Sequence, residues 1–348
     1  MDVIASTVFG LDVDSQSKTD HPFVEHASTL LGASKKPKGF FAICKQICLI
    51  IMLFTFPTSL RVVLANFFGL SFTDQESMKY FNNVIDRLVK ERKQNPDSEN
   101  SKDFVSQCSK KVVDLSQVPK EKVFMSSSGF QWTTEGLTRE DFVANSTIFF
   151  GAGYETTATA LQFFFYNMAV HPNIQQKLYD HLCEELGEDD FSYEQLQRLD
   201  YLEWCICESM RMFPPVVRIE RLANADTVVN GITIPKGMGV QGLVYVIHHD
   251  PDYWPQPEKF DPERFSPENK TEIQQYAWLP FGAGGRSCIA NRLAMLEMKI
   301  AVAKAMLSLQ FERVAATKDP AEIKQKPAAA FFLPKDPILI SAVSRSSF

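Results

Sequence analysis

The order of apolar and polar positions predicts a mainly helical chain. Apolar side chains recur with helical spacing in four stretches: residues 74–94, 138–169, 201–212 and 289–309. The first 70 residues also look helical and apolar, apart from the polar insert ASKKPKG. Prolines mark where several of these helices end, because proline interrupts the helical hydrogen-bond ladder.

The longest helix has a start signal. Thr138 precedes Asp141 by three residues, which resembles a capping box, and the helix must end near His171 and Pro172. At 1.5 Å per residue it would extend about 45–50 Å. In the last helix, one apolar stripe is expected to face the core: Ile289, Leu293, Leu296, Ile300, Ala303 and Leu307.

A smaller part of the chain predicts strands. VVNGITIP indicates a hairpin around Asn230 and Gly231, and GVQGLVYVI indicates a further apolar strand. The tail PAAAFFLPKDPILISAV suggests a closing strand pair, while residues 95–137 are polar and part of them is predicted to be a mobile loop. The expected fold class is therefore mainly α with a small β region.

Composition narrows the function. The chain has 348 residues, 45% of them hydrophobic, and a formal net charge of −6, so neither density nor sign of charge favours a nucleic-acid partner. Its seven cysteines are scattered and include no CxxC pair, which argues against a zinc site and against a disulfide framework. A reduced, cytosol-facing compartment fits this cysteine usage.

Residues 46–60 form an apolar run without a charged side chain. With 15 residues and Pro57 inside it, the run is shorter than the about 20 residues that span a bilayer. Two interpretations stay open: a buried helix end with its loop, or a hairpin tip that makes peripheral contact with a membrane.

A glycine-rich loop, PFGAGGRSCIA, leads into the last predicted helix. Helix N-termini carry partial positive charge that stabilises a thiolate, so Cys288 at this place could ligate a metal. Gly282, Gly284 and Gly285 would let the backbone approach a flat, bulky ligand, and Arg286 could reach a carboxylate on it. The alternative is a buried cysteine that follows a turn.

Other segments carry candidate chemistry. In AGYETT, mid-helix glycines suggest either a close helix crossing or a ligand face, and Thr156 could hydrogen-bond to a carbonyl one turn earlier. In ESMR, Glu208 and Arg211 stand three residues apart, as either a solvated ion pair or a buried one that needs further partners. DPERF offers Arg264 as such a partner, and RIER places Arg221 before a strand.

The pattern F-x-x-G-x-R-x-C from Phe281 to Cys288 resembles the haem-binding loop of the cytochrome P-450 superfamily, and the other three segments occur in that family's order. Ala290 stands where the family usually has glycine. The resemblance is strongest to the animal microsomal, xenobiotic-oxidising branch. It implies that Cys288 is the axial ligand of haem iron. The implied cofactor contacts are Cys288, Arg286, Arg221, Phe281, Gly282, Gly284 and Ala152.

The resemblance also assigns roles to the other candidates. Glu155 and Thr156 would be catalytic, guiding water and protons during oxygen activation. Glu208, Arg211 and Arg264 would form a structural network that supports the haem-side core. The substrate pocket is expected to be lined by Ile148, Gly151, Val216, Val217 and Phe331.

The function implied is a haem-thiolate monooxygenase, one domain over residues 1–348, that holds haem b and inserts one oxygen atom into an apolar small molecule. Electrons would come from NADPH through a separate flavoprotein reductase, at the cytosolic face of the endoplasmic reticulum membrane. Family members are longer, and the N-terminal third, with its transmembrane anchor and Trp-x-x-x-Arg segment, is expected to be missing. The alternative is a catalytically incompetent fragment, from a splice form or an incomplete gene model.

Overall fold

The structure is a computed structural model. It describes residues 1–17, 21–30, 74–94, 103–125, 131–186, 191–326 and 331–345. The chain divides into two compact units, Met1–Glu155 and Thr156–Phe348, and each is described by itself. The apolar run 46–60, with its two interpretations, lies outside the described residues.

The described part of the first unit is built mainly from helices. Their bounds are α1 (Asp2–Ile4), α2 (Pro22–Leu30), α3 (Gln75–Gln94), α4 (Phe104–Ser109) and the N-terminal half of α5 (Arg139–Val170). Strands β1 (Val123–Met125) and β2 (Gln131–Thr133) pair antiparallel. The described part of the polar segment 95–137 therefore includes a short helix and an antiparallel strand pair.

Helix α5 begins and ends close to the predicted positions. The Thr138 hydroxyl accepts a hydrogen bond from the Asp141 backbone N–H at 3.0 Å. The Asp141 carboxylate accepts one in return from the Thr138 N–H at 3.1 Å. This reciprocal pair satisfies two backbone donors at the helix start, which confirms the predicted capping box. With 32 residues, α5 is about 48 Å long.

An aromatic cluster forms the core of the first unit. Phe9, Phe23, Phe81 and Phe150 are almost fully buried. The Phe23 and Phe150 rings meet edge to face with centroids 4.7 Å apart, and the Phe81 and Phe150 centroids are 5.3 Å apart. Each such ring removes a large apolar area from water, so this cluster ties α5 to the helices before it.

The second unit holds most of the remaining helices. Besides the C-terminal half of α5, their bounds are α6 (Pro172–Glu185), α7 (Tyr193–Gln197), α8 (Asp200–Met212), α9 (Val244–His248) and α10 (Asn291–Ser308). In its core the Phe163 and Phe213 rings stack at 4.3 Å, and Phe332 meets Phe163 edge to face at 5.0 Å.

Three two-stranded antiparallel sheets lie among the described residues of the second unit. Their strands are β3 (Ile219–Leu222) with β6 (Gly239–Gly242), β4 (Thr227–Val229) with β5 (Ile232–Ile234), and β7 (Leu309–Arg313) with β8 (Ile340–Ser344). The predicted Asn230–Gly231 hairpin is confirmed. Both turn residues have positive φ, 48° and 79°, which is the backbone that an Asn-Gly turn between strands requires.

The prediction of one strand over GVQGLVYVI is wrong. Only β6 is extended, and the chain turns into helix α9 directly after Leu243. Val244 and His248 are both fully buried, four residues apart, which is the spacing of one helix face. A short apolar run looks alike in a strand and in a buried helix, so apolar character alone could not separate the two.

The stripe predicted for α10 is also wrong in part. Ile289 is 84% exposed and precedes the helix, and Ile300 is 37% exposed. The buried face instead carries Met298, Lys299, Val302, Ala303 and Met306. Lys299 occupies this face because its ammonium reaches the Glu203 carboxylate at 2.8 Å, while the aliphatic stem packs inside.

The closing strand pair is formed by segments that differ in part from those suggested. Its second strand, β8, comes from the tail, but its partner β7 directly follows α10. Residues 331 and 334 in the tail form only isolated bridges, to Val216 and Gln325.

Candidate haem-binding site

The Cys288 loop is closed by short backbone hydrogen bonds. The Cys288 N–H donates to the Phe281 carbonyl at 2.8 Å, and the Ser287 N–H donates to the Gly284 carbonyl at 3.0 Å. Gly282 and Gly284 have φ of 68° and 73°. These are left-handed conformations that residues with a Cβ adopt at a cost, so the loop needs glycine at both positions.

The loop presents the thiol outward. Cys288 is exposed, which rules out the alternative of a buried cysteine after a turn. A Cβ added at Gly284 or Gly285 would meet no heavy atom within 4 Å. Helix α10 begins at Asn291 with Ala290 as its N-cap, so the thiol lies two residues before the cap.

Two arginines in the same unit were expected to contact the cofactor. Arg286 ends the short 3-10 turn Gly284–Arg286 and is exposed. Arg221 is exposed on β3, where its guanidinium donates to the Glu220 carbonyl at 2.8 Å. An exposed thiol, a bare glycine backbone and arginine side chains are the groups that suit a flat, iron-bearing ligand with carboxylates, so these residues fit haem.

The α5 candidates lie on different faces of the helix. Ile148 is 65% exposed and Ala152, one turn later, is also exposed, whereas Gly151 is buried. A Cβ at Gly153 would come within 2.5 Å of the Ile4 Cδ1 atom. Gly153 therefore permits a close contact between α5 and α1, which agrees with the interpretation of a mid-helix glycine as a close helix crossing.

Glu155 and Thr156 are consecutive, partly buried residues in the middle of α5, one in each unit. More than two turns before them, the Ser146 hydroxyl donates to the Phe142 carbonyl at 2.8 Å and the Thr147 hydroxyl to the Val143 carbonyl at 2.9 Å. Hydroxyl groups of this helix thus bond back to carbonyls, the behaviour expected for Thr156. The catalytic roles of Glu155 and Thr156 stay predictions.

Two of the predicted pocket residues are neighbours. Val216 and Phe331 form an antiparallel bridge, and next to it the Phe332 N–H donates to the Pro215 carbonyl at 2.9 Å. Val217 is partly buried, and its carbonyl accepts from the Tyr245 N–H at 3.1 Å. The segment after α8 is therefore held between the tail and α9.

The structure brings Glu208, Arg211 and Arg264 together in the second unit. Arg211 binds Glu208 through two hydrogen bonds, Nε to Oε2 at 2.8 Å and Nη2 to Oε1 at 2.9 Å, and both side chains are completely buried. Arg264 Nε lies 3.5 Å from Glu208 Oε1. The interpretation as a solvated surface pair is therefore wrong.

Further groups complete this cluster. The Asp261 N–H donates to Glu208 Oε1 at 2.9 Å. Arg211 also donates to the carbonyls of His248 at 2.8 Å and Pro257 at 2.7 Å. Burial raises the pKa of the Glu208 carboxyl, and the hydrogen bonds and charge of Arg211 act against that rise.

Sequence reasoning missed His248, which lies beside this cluster. Its Nε2 accepts from the Leu279 N–H at 2.8 Å, so the proton is on Nδ1, which lies 3.1 Å from the Arg211 carbonyl. Burial lowers the pKa of His248 to about 3, so the ring is neutral at physiological pH. A histidine inside an apolar run gives no pattern that identifies such a bridge.

The described cysteines, at positions 108, 183, 205, 207 and 288, are free thiols. No cluster of three or more His, Cys, Asp or Glu that could hold a metal ion occurs among the residues described. Within that part of the chain, helices that combine the length and the apolarity needed to cross a bilayer are also absent.

The comparisons with known proteins identify the class to which this loop and cluster belong. The cytochrome P450 family model matches residues 1–342, so the chain belongs to the cytochrome P450 family. The family implies a haem cofactor.

Three relatives illustrate the similarity, and all three have names of the cytochrome P450 3A series. The chain is 34% identical to mouse (Mus musculus) cytochrome P450 3A25 over 346 residues, covering 99% of this chain and 63% of the relative. Rat (Rattus norvegicus) cytochrome P450 3A9 gives the same three percentages. Pig (Sus scrofa) cytochrome P450 3A29 is 32% identical over 97% of this chain and 63% of its own length. The chain thus spans about 63% of the length of the curated relatives it matches.

Proposed function

We propose that this protein is a haem-thiolate monooxygenase that binds haem b through Cys288 and oxidises an apolar small molecule. Haem bound through a thiolate activates dioxygen, so that one oxygen atom enters the substrate and the other leaves as water. Electrons come from NADPH through a separate flavoprotein reductase. The chain works as a single domain over residues 1–348.

The observation that carries this proposal is the outward-facing thiol of Cys288 on a glycine loop. Two glycines with positive φ shape the loop, and bare backbone at Gly284 and Gly285 faces open space beside the thiol. A cysteine with only a packing role is usually buried, whereas Cys288 is exposed at the end of a loop that two left-handed glycines shape.

The other residues hold the cofactor or handle protons. Arg286 and Arg221 neutralise the two propionate carboxylates, because guanidinium groups bind carboxylates in a charge-assisted way. Thr156 holds a water by its hydroxyl, and Glu155 beside it supplies protons to that water. Phe281, Gly282 and Gly284 give the cofactor a close, largely apolar surface, and Ala152 is a separate candidate contact in the first unit.

The substrate is apolar because the pocket candidates are. Ile148, Gly151, Val216, Val217 and Phe331 offer no charged group, so burial sets affinity. Ile148 is the position that tests this assignment, because it is 65% exposed and tolerates enlargement, whereas Gly151 is buried. Ile148→Phe should reduce turnover of large substrates more than that of small ones. An equal loss for both would remove Ile148 from the pocket.

Similarity to these relatives supports a proposal about the protein's location in the cell. We assign it to the endoplasmic reticulum membrane, facing the cytosol where the reductase works, with peripheral contact around residues 46–60. Binding to nucleic acid is not expected from a net charge of −6. A vesicle flotation assay with residues 46–60 changed to polar side chains tests the membrane contact.

The axial ligand is tested by the spectrum of the reduced carbon monoxide complex. The unchanged chain should give the red-shifted band of a thiolate complex, and Cys288→Ser should abolish it because a hydroxyl is a poor ligand at neutral pH. Cys183→Ser, which changes the other described exposed thiol of this unit, is the matched control and should keep the band. A thiolate band in Cys288→Ser would refute the assignment. Absence of haem uptake by the unchanged chain would favour a catalytically incompetent family member.

A further inference from the structure

His248 connects the buried Glu208–Arg211 cluster to the base of the Cys288 loop. It is completely buried and its two ring nitrogens serve different segments. Nδ1 lies 3.1 Å from the Arg211 carbonyl at the end of α8, and Nε2 accepts from the Leu279 N–H at 2.8 Å. The Arg211 guanidinium returns a hydrogen bond to the His248 carbonyl at 2.8 Å.

The Leu279 peptide is where the Cys288 loop begins. The Leu279 carbonyl accepts from the Gly282 N–H at 3.0 Å, which closes the first turn of the loop. Gly282 has φ 68°, and the neighbouring Phe281 carbonyl accepts from the Cys288 N–H at 2.8 Å. A continuous path therefore runs from His248 through the backbone of Leu279 and the peptide group of residues 281–282 to the Cys288 N–H.

Burial makes this tie specific. Leu279 is 7% exposed, so water cannot readily replace the histidine as acceptor for its N–H. No side chain other than His248 bonds to that N–H among the hydrogen bonds of the described residues. The loop tip, in contrast, is exposed from Gly284 to Ile289 and has few packing contacts of its own to fix its position.

We propose that His248 is a positioning residue for the axial thiol: by holding the Leu279 N–H, it anchors the Cys288 loop to the Arg211 cluster. This inference rests on the proposed function for its consequence at the haem. The hydrogen-bonded path itself concerns only this chain, and it can be measured without cofactor. The two can therefore fail separately.

Three variants separate the two bonds of the ring. His248→Phe keeps the size but removes both bonds. His248→Gln can place an amide oxygen near the position of Nε2 and so keeps an acceptor for Leu279. His248→Asn keeps a donor for the Arg211 carbonyl but is too short to reach Leu279. The matched control is Gln175→Met, because Gln175 is also buried and also bridges backbone groups, at Met168 and Phe311.

The first measurement is amide hydrogen exchange of residues 279–288 in the haem-free chain. Loss of one buried hydrogen bond should raise the exchange of this segment about tenfold in His248→Phe and His248→Asn, with recovery in His248→Gln. Gln175→Met should raise exchange at Phe311 instead and leave residues 279–288 unchanged. Unchanged exchange of this segment in both His248→Phe and His248→Asn would overturn the proposal.

The second measurement is the reduced carbon monoxide spectrum of the haem-loaded proteins. His248→Asn should lose a large share of the thiolate-type band, while His248→Gln and Gln175→Met retain it. Equal loss in Gln175→Met would mean that general destabilisation explains the effect, and would overturn the positioning role. If His248→Phe does not fold, the comparison of His248→Asn with His248→Gln decides alone. A thiolate band in Cys288→Ser would instead contradict the proposed function and leave the exchange result standing.

Discussion

Arg211→Met should be among the most destabilising single changes in the second unit. Methionine fills a similar volume but donates no hydrogen bond. The change leaves the completely buried Glu208 carboxylate without its bidentate partner, so that only the Asp261 N–H at 2.9 Å and Arg264 at 3.5 Å face it. It also removes the donors that serve the His248 and Pro257 carbonyls.

The size of the effect follows from burial. Breaking a buried ion pair by removing one partner typically costs about 3–5 kcal/mol, because an uncompensated charge remains in a poorly polarisable environment. Each carbonyl left without a partner adds about 1–3 kcal/mol if water cannot enter. Glu208 can lower the cost by taking up a proton, since burial already raises its pKa. We therefore expect a loss of about 4 kcal/mol in the free energy of unfolding.

Urea unfolding followed by tryptophan fluorescence measures this loss. Trp254 is a suitable reporter because the Arg211 guanidinium lies 5.4 Å from its ring centroid. Arg313→Met is the matched control: Arg313 pairs with Asp319 at 2.7 Å, but the two side chains are 45% and 62% exposed. Such an exposed pair contributes about 0–1 kcal/mol. If both variants unfold at the same urea concentration, the argument from burial is refuted.

Three further predictions concern other parts of the molecule. Burial lowers the pKa of His248 to about 3, while an unfolded histidine has a pKa of about 6.5. The contribution of His248 to stability is therefore complete above pH 6.5 and falls by about 1.4 kcal/mol per pH unit between about pH 6.5 and pH 3. Urea midpoints measured at several pH values should fall less steeply for His248→Gln, and parallel curves for the two proteins would contradict this. Gly153→Ala should destabilise the first unit by about 1–3 kcal/mol despite the better helix propensity of alanine, because the new Cβ would lie 2.5 Å from Ile4 Cδ1. Thermal unfolding of Gly153→Ala with and without Ile4→Ala tests this. If Ile4→Ala does not restore stability, the contact is not the cause. Thr156→Ala should divert reducing equivalents to peroxide without loss of haem binding, which product formed per NADPH consumed will show, and an unchanged yield would remove Thr156 from proton delivery.

The elements that sequence predicted well are those with a local chemical signal. The Thr138–Asp141 capping box lies within four residues of chain, and both of its hydrogen bonds are present. The Asn230–Gly231 turn needs positive φ at two consecutive positions, and few other residue pairs supply it. In both cases the residues that determine the structure are also the residues that show it in the sequence.

The elements that sequence predicted poorly are apolar on more than one side. Residues 239–247 divide into a short strand and a helix, although the run reads as one apolar strand. Helix α10 has apolar residues around most of its circumference, so packing against neighbours decides which of them are buried. Its buried face includes Lys299, whose ammonium bonds to Glu203 and to the Leu196 carbonyl. A tertiary contact of this kind produces no periodic pattern in the sequence.

The candidate site divides in the same way. The Cys288 loop and the ESMR segment are short motifs, and their chemistry could be inferred from residue type and spacing. The placement of Cys288, Arg221 and Val216 relative to a cofactor depends on long-range packing, and their roles stay predictions. His248 was missed for a different reason: its partners are the Arg211 carbonyl and the Leu279 N–H, which are backbone groups 37 and 31 residues away.

The Arg211 cluster explains why backbone partners of this kind gather here. The chain between α9 and the Cys288 loop is largely irregular, so its carbonyls lack the partners that a helix or sheet would supply. Arg211 donates to the carbonyls of His248, Pro257 and Lys259 at 2.8, 2.7 and 3.3 Å while it binds Glu208. Only a guanidinium has enough fixed donors for a carboxylate and several carbonyls at once, since the lysine ammonium has three donors and no planar fork. The cluster therefore supplies the backbone carbonyls of this irregular segment with the hydrogen-bond partners that a helix or sheet would otherwise provide. His248 does the same for the Leu279 N–H at the base of the loop that carries the thiol.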